Sequence, residues 1–286
     1  MLPYFLGCPS WSEPAWRGSL YPAHASSAEF LPHYARVFNA VEGNTTFYAS
    51  PSAETVARWA ARMPAELRFC AKLPREVSHN GDLRANLDAA ETFRRLLAPL
   101  GSRVAPYWLQ LPASFTPARL AELHSFLEPW QAGELTVEVR HPAFFDKGED
   151  ERRLNRLLHG LGIERICLDS RALFSCDSRA PAVLHAQAKK PRLPLRPTAF
   201  SQSPQVRFIG HPELSANDPF MAPWLDKVAS WIEEGRTPYM FLHTSDNRLA
   251  PQLAQRFHQQ LMQRLPGLVA LPQPEGDART EQLGLL

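Results

Sequence analysis

Glycine-rich phosphate loops are missing from this chain. Gly7 is followed by Cys8 and Pro9, and no Gly-x-Gly-x-x-Gly turn opens a helix; the dinucleotide fingerprint of an open doubly wound sheet is therefore absent, and so is a P-loop. Cysteine is scarce as well. Cys8, Cys70, Cys167 and Cys176 show no Cys-x-x-Cys spacing, and three of them sit in apolar runs where a thiol behaves as a small hydrophobe, which argues against a zinc ribbon or a disulfide framework. No stretch offers about 18 uninterrupted apolar residues, and the start, MLPYFLGCPSW, has no basic cluster before a long apolar run. A membrane span and a secretory leader are thus not expected, and the chain reads as cytoplasmic, with no membrane partner. Charge of one sign is also lacking: 31 Lys and Arg face 29 Asp and Glu, for a net charge of +2. That imbalance is too mild to demand nucleic acid or an acidic surface as partner.

What is present is a globular composition, 286 residues with 44% hydrophobic and 21% charged, enough for a well-filled core. Short apolar runs recur at 4–7, 37–42, 67–73, 106–111, 135–140, 164–169, 206–210 and 239–243. Each has the length of a buried strand. Helical patterns lie between most of them. Ser26 and Glu29 have capping-box spacing, Ser50-Pro51 precedes a stripe of Val56, Trp59, Ala60 and Met63, and Leu154, Leu157, Leu158 and Leu161 form another. Strands alternating with helices predict a parallel sheet, and closure into a single (β/α)8 TIM-like barrel explains the count without leaving an edge. The barrel is expected over 1–268 and a polar tail over 269–286. The proline-rich, basic segment 177–204 is read as a long loop between strands six and seven.

The stretch FNAVEGNTTFY begins as a buried strand and then places Glu42 and Asn44 two residues apart, on one face of an extended chain. Other strands end alike: Lys72, Gln110, Glu138 with Arg140 and His141, Asp169, His211 and His243. In a parallel barrel these endings gather at the face that carries active sites. A carboxylate near Trp11, Phe47 and Tyr48 suits a general acid or base, or a cap on loop amides. Glu138 and Arg140 read equally as an ion pair or as a base beside an anion clamp. Lys72 can pair with Glu42, orient an oxyanion or form a Schiff base. His79 is either a proton shuttle or a surface hydrogen-bonder.

The sequence resembles the YecE-like family, also catalogued as domain-of-unknown-function family 72, barrel proteins without an established activity. The matching residues are Gly7, Ser10 and Trp11 in GCPSW, Trp16, Gly18, Tyr21 and Pro22 in WRGSLYP, and Asn39, Glu42, Asn44, Phe47 and Tyr48. Lys72 and His79, Gln110 and Pro112, and Glu138, Arg140 and His141 continue the match. The chain departs from the family pattern at RFIGHP, where Arg-x-His-Gly is usual, and at His243-Thr244, where paired asparagines are usual. The resemblance implies the fold and supplies no reaction.

Two functions follow from these residue types. One is an enzyme acting on a sugar-like or phosphorylated small molecule by acid-base chemistry from Glu42, Lys72, Glu138 and Asp169, with hydrolase, lyase and isomerase reactions all open. Ser10, Trp11, Asn44, Tyr48, His79, Gln110, Arg140, His141, His211 and His243 would bind substrate. No cofactor is required, although Glu138, Asp169, His211 and His243 could converge on a divalent metal. The other is a nucleic-acid-associated protein using the basic residues Lys189, Lys190, Arg192 and Arg196. Its closing segment, with Gln282, Leu283, Leu285 and Leu286, resembles the short motif that docks bacterial repair proteins on the DNA sliding clamp. A tail packed on the lower face of the barrel is the competing expectation. Oligomeric state is not legible.

Overall fold

The computed structural model describes residues 2–276. Its strands are β1 (Phe5–Cys8), β2 (Ala40–Gly43), β3 (Arg68–Ala71), β4 (Tyr107–Gln110), β5 (Leu135–Glu138), β6 (Glu164–Arg165), β7 (Cys167–Asp169), β8 (Gln205–Ile209) and β9 (Tyr239–His243). Each apolar run of the sequence thus becomes a strand, the sixth divided at Ile166 into β6 and β7. Every pairing between these strands is parallel, in the orders β3-β2-β1-β9-β8-β7 and β4-β5-β6. Isolated parallel bridges link Phe69 to Val104 and Lys72 to Trp108. The fold is therefore α/β, with a mostly parallel sheet and helices.

Parallel neighbours need crossovers, and helices supply them. The helices Phe30–Val37, Ala53–Arg62, Leu87–Leu97, Leu120–Leu127, Glu149–Gly160, Asp218–Glu233 and Ala250–Leu261 stand where the periodicity places them. Ser52 caps the second, its side chain accepting from the Thr55 amide at 3.1 Å, two residues later in the chain than Ser50. The Ser26–Glu29 pair does form, Ser26 Oγ donating to Glu29 at 2.6 Å, but it precedes the helix at Phe30 rather than lying in its first turn.

Side chains alternate across each strand. Tyr4, Leu6, Val41, Phe69, Leu109, Val137, Cys167, Phe208 and Leu242 join the main core beneath the helices, whereas Ala40, Cys70, Trp108, Ile166, Tyr239 and Phe241 form a separate apolar cluster on the opposite face of the strands. The residues that follow this second set along their strands are the polar ones: Glu42, Lys72, Gln110 and His243.

The segment 177–204 is not the structureless loop expected. It contains the helix Pro181–Lys189, and its return path is pinned down. Arg196 Nε donates to the buried Glu151 carboxylate at 2.7 Å, and Glu164 accepts from the Phe200 and Ser201 amides at 3.0 and 2.9 Å. Beyond the last helix, Leu271 packs on the core and Glu275 meets His33 at 2.5 Å. Gln282, Leu283, Leu285 and Leu286 lie outside the described residues. Among the described residues, no helix is long and apolar enough to cross a membrane.

Candidate functional site

At the carboxyl ends of the strands the second face turns from apolar to ionic. Glu42 of β2 is fully buried and shared by three partners: Arg207 of β8 at 2.8 Å, Lys72 after β3 at 3.1 Å and His243 of β9 at 2.7 Å. Glu138 of β5 receives Arg140 at 2.6 Å and Arg207 Nη1 at 3.4 Å. Gln110 of β4 bridges the two groups, its Oε1 accepting from Lys72 at 3.2 Å and from Arg140 at 2.9 Å. Asn44 accepts from Lys72 at 2.7 Å. The Trp108 ring lies 4.5 Å from Lys72 Nζ and 5.5 Å from the Arg207 guanidinium, so the apolar cluster carries the ionic layer on an aromatic face.

Burial and charge compete at every one of these groups. Burial alone would raise the carboxyl of Glu42, yet Arg207, Lys72 and His243 outweigh it and hold Glu42 well below the usual range. Glu138 is likewise opposed by burial and held at about 2 by Arg140, Arg207 and Lys72. Burial, with Arg207 beside it, brings the Lys72 ammonium down to about 8 against the pull of Glu42. Burial also takes His243 to about 4, so it is neutral at pH 7 and its Nε2–H donates to Glu42.

Above this layer opens a cleft with room of about 270 Å³. Its walls include Asn44, Tyr48, Lys72, Gln110, Arg140, Arg207 and His243, the loop Thr244, Ser245 and Asn247, and His185, Lys189 and Lys190 from the end of the helix Pro181–Lys189. Lys190 is half-buried, and burial followed by the charges of Arg207 and Lys72 holds its ammonium well below the ordinary range.

The strand-end residues therefore divide. Glu42, Asn44, Tyr48, Lys72, Gln110, Glu138, Arg140 and His243 assemble around one cleft. Asp169 does not: it shares the outward face of β7 with Cys167, accepts from Trp224 Nε1 at 2.8 Å and pairs with Arg171 at 2.8 Å. His211 accepts from the Glu213 amide at 3.0 Å and His141 from the Ala143 amide at 3.2 Å, each closing its own turn. His79 meets Ser78 Oγ at 2.7 Å, stands edge-on to Phe47, and is taken down to about 4 by burial. Ser10 bonds locally to Ser12, and Trp11 packs edge-on against Trp59. The quartet Glu138, Asp169, His211 and His243 is consequently dispersed, and among the described residues no group of three or more His, Cys, Asp or Glu is placed to hold a metal ion. The basic residues divide as well, with Lys189 joining Lys190 on the cleft wall and the two arginines elsewhere. Lys190 enters the cleft, Arg196 pairs with Glu151, and Arg192 lies over the Phe174 ring at 5.6 Å.

The residue that sequence reasoning missed is Arg207, which joins both carboxylates. Its signal was available: a charge in the middle of the buried strand QVRFI, at the same parity as Gln205, must be paired. Thr244, Asn247 and His185 carry no such signal, because only the path of their loops brings them to the cleft.

A parallel α/β protein with a polar, ion-paired cleft at its strand carboxyl ends is the class these features define. The chain belongs to the family described as "Protein of unknown function DUF72", whose model matches residues 5–277. It is 41% identical over 270 residues to the UPF0759 protein YecE of Escherichia coli K12, covering 94% of this chain and 96% of that one, and equally similar to the same protein of Escherichia coli O157:H7. Among solved structures it resembles a DUF72 family protein of Thermotoga maritima, with a TM-score of 0.67, 23% identity, and coverage of 90% of this chain and 98% of that one. A DUF72 family protein of Enterococcus faecalis V583 also aligns with a TM-score of 0.67 at 16% identity, covering 90% and 95%.

Proposed function

We propose that the strands close into one eight-stranded (β/α)8 barrel, and that the cleft at their carboxyl ends binds a small anionic metabolite and transforms it by acid-base chemistry. Closure is supported by the bridges that lead from β3 to β4 and by β6 and β7 being two halves of one run separated by a single residue. The site reading is carried by one observation. Lys72, Arg140, Lys190 and Arg207 surround a single cleft whose only buried carboxylates among the described lining and floor residues are Glu42 and Glu138. Cations in excess, held partly dehydrated, favour an anion that completes the charge balance.

Within this reading the two carboxylates do not move protons. Both are held ionised, and they position the cations instead. Lys72 is the group able to exchange a proton near neutral pH, a step that hydrolysis, elimination and isomerisation all require. Arg140 offers its planar fork to a phosphate or carboxylate. With Arg196 paired to Glu151 and Arg192 over the Phe174 ring, Lys189 and Lys190 are the basic residues of this segment at the cleft, which favours a small anion over a nucleic-acid strand.

The test is calorimetric titration with inorganic phosphate and ethyl phosphate at low and moderate salt. Binding should weaken with salt and weaken further as pH rises through about 8, where Lys72 loses its proton. Arg140→Met and Lys190→Met should each cost about tenfold in affinity, the size of one charge-assisted contact. Unchanged affinity in both variants, or no anion binding at all, would overturn the proposal.

A further inference from the structure

We infer that Thr244 and Asn247 select a polyhydroxylated anion, a sugar phosphate or sugar acid, by receiving its hydroxyl groups at the wall of the cleft. The inference rests on the anion-binding reading above and names the class of anion.

Thr244 follows His243 at the end of β9 and is buried, yet its Oγ1 is sealed from solvent with no hydrogen-bond partner among the described residues. Asn247, three residues on, is held firmly by its backbone. It adopts a left-handed conformation with φ of 61°, its carbonyl accepts from Trp16 Nε1 at 2.8 Å, and its amide donates to the Thr244 carbonyl at 3.3 Å. Its side-chain Oδ1 is also sealed and, among the described residues, unpartnered. Both residues line the cleft. An orphaned buried polar atom is unfavourable, so a fixed loop that keeps two of them retains them at the expense of stability.

The chemistry of these atoms narrows the ligand. Oδ1 can only accept, while the threonine hydroxyl can both donate and accept. A bare phosphate or carboxylate oxygen has no proton to give Oδ1, whereas a hydroxyl answers both atoms. The loop backbone stays pinned, and rotation of the Thr244 and Asn247 side chains about their Cα–Cβ bonds presents the two atoms to the ligand. Tyr48, 77% exposed at the same rim, offers a flat face to the apolar side of a sugar ring. Lys190 and Arg140 remain for the anionic end.

Calorimetry with glucose 6-phosphate, gluconate, ethyl phosphate and glucose separates the cases. Either hydroxylated anion should bind at least about tenfold more tightly than ethyl phosphate, and which of the two is tighter identifies a phosphate or a carboxylate end. Thr244→Val and Asn247→Gly should erase that tenfold advantage while leaving ethyl phosphate binding unchanged. In the ligand-free protein Thr244→Val should keep or raise the melting temperature, since an orphaned hydroxyl is removed. If ethyl phosphate binds but the hydroxylated anions bind no better, this inference fails and the anion reading stands. If no anion binds, both fail. A melting temperature lowered by Thr244→Val, with the tenfold advantage intact, would show that the hydroxyl serves the fold.

Discussion

Arg207 is the residue on which the ionic layer depends. It is fully buried, contacts both Glu42 and Glu138, and lies over the Trp108 ring. A buried ion pair is weak evidence of stability in itself, because desolvation opposes the Coulomb attraction; removing one partner, however, strands the other. Arg207→Met should therefore destabilise the protein by about 3–5 kcal/mol in urea denaturation. Glu42→Gln should cost a comparable amount by leaving Lys72 and Arg207 short of an acceptor. Combined, the two should cost clearly less than their sum, because each removes the group the other strands. Additive losses would mean that Lys72 and His243 alone satisfy Glu42, and that Arg207 belongs only to Glu138.

At the scale of the elements, β1 shows how a strand is fitted to its neighbour. Gly7 occupies the middle of FLGC, an unfavourable residue for a strand interior unless another backbone approaches closely. It does: a Cβ at this position would lie 2.0 Å from the Ala40 carbonyl oxygen and 3.0 Å from the Tyr34 hydroxyl, which itself bonds the Cys8 amide at 2.7 Å. Gly7→Ala should push β1 from β2 and lower stability by about 3 kcal/mol or more, read as a fall in melting temperature with loss of cooperativity. A change within a few tenths would show that β2 yields freely. The strands were legible because apolar runs of this length, alternating with helical periodicity, leave few alternatives. Strand ends were a coarser guide to the site. They picked out Glu42, Lys72, Gln110, Glu138 and His243 correctly as neighbours, but Asp169 sits at the opposite pleat parity and faces Trp224. Parity excludes it from the cleft on β7 and, read separately on β8, places Arg207 with Gln205 on the cleft face. The helix Pro181–Lys189 escaped notice for another reason: it is short, set among prolines, and has exposed Leu184 beside buried Val183 and Ala186, so no clear apolar stripe marks it.

For the molecule as a whole, an ionic layer stacked on an apolar cluster makes folding sensitive to acid. His243 is held at about 4 by burial, below the 6.5 of an ordinary histidine. Between these values the unfolded chain binds a proton that the folded protein refuses, and stability is lost as pH falls. Glu138, held at about 2 rather than 4.5, extends the loss to lower pH with the same sign. His79, also taken to about 4, adds to the upper window, and burial of His33 and His258 acts in the same direction. Glu164 opposes them. Burial raises its carboxyl to about 7 despite the amides of Phe200 and Ser201, so from 4.5 to 7 the folded state holds the extra proton and gains as pH falls. His243→Gln keeps an N–H for Glu42 but cannot titrate. Its stability curve between pH 6.5 and 4 should therefore be shallower than that of the unaltered protein by one proton, about 1.4 kcal/mol per pH unit. Denaturant midpoints measured every half unit of pH would reveal the difference. Parallel curves would place His243 in its charged form throughout this range, paired with Glu42, and would leave the cleft with one more cation than the present balance assigns.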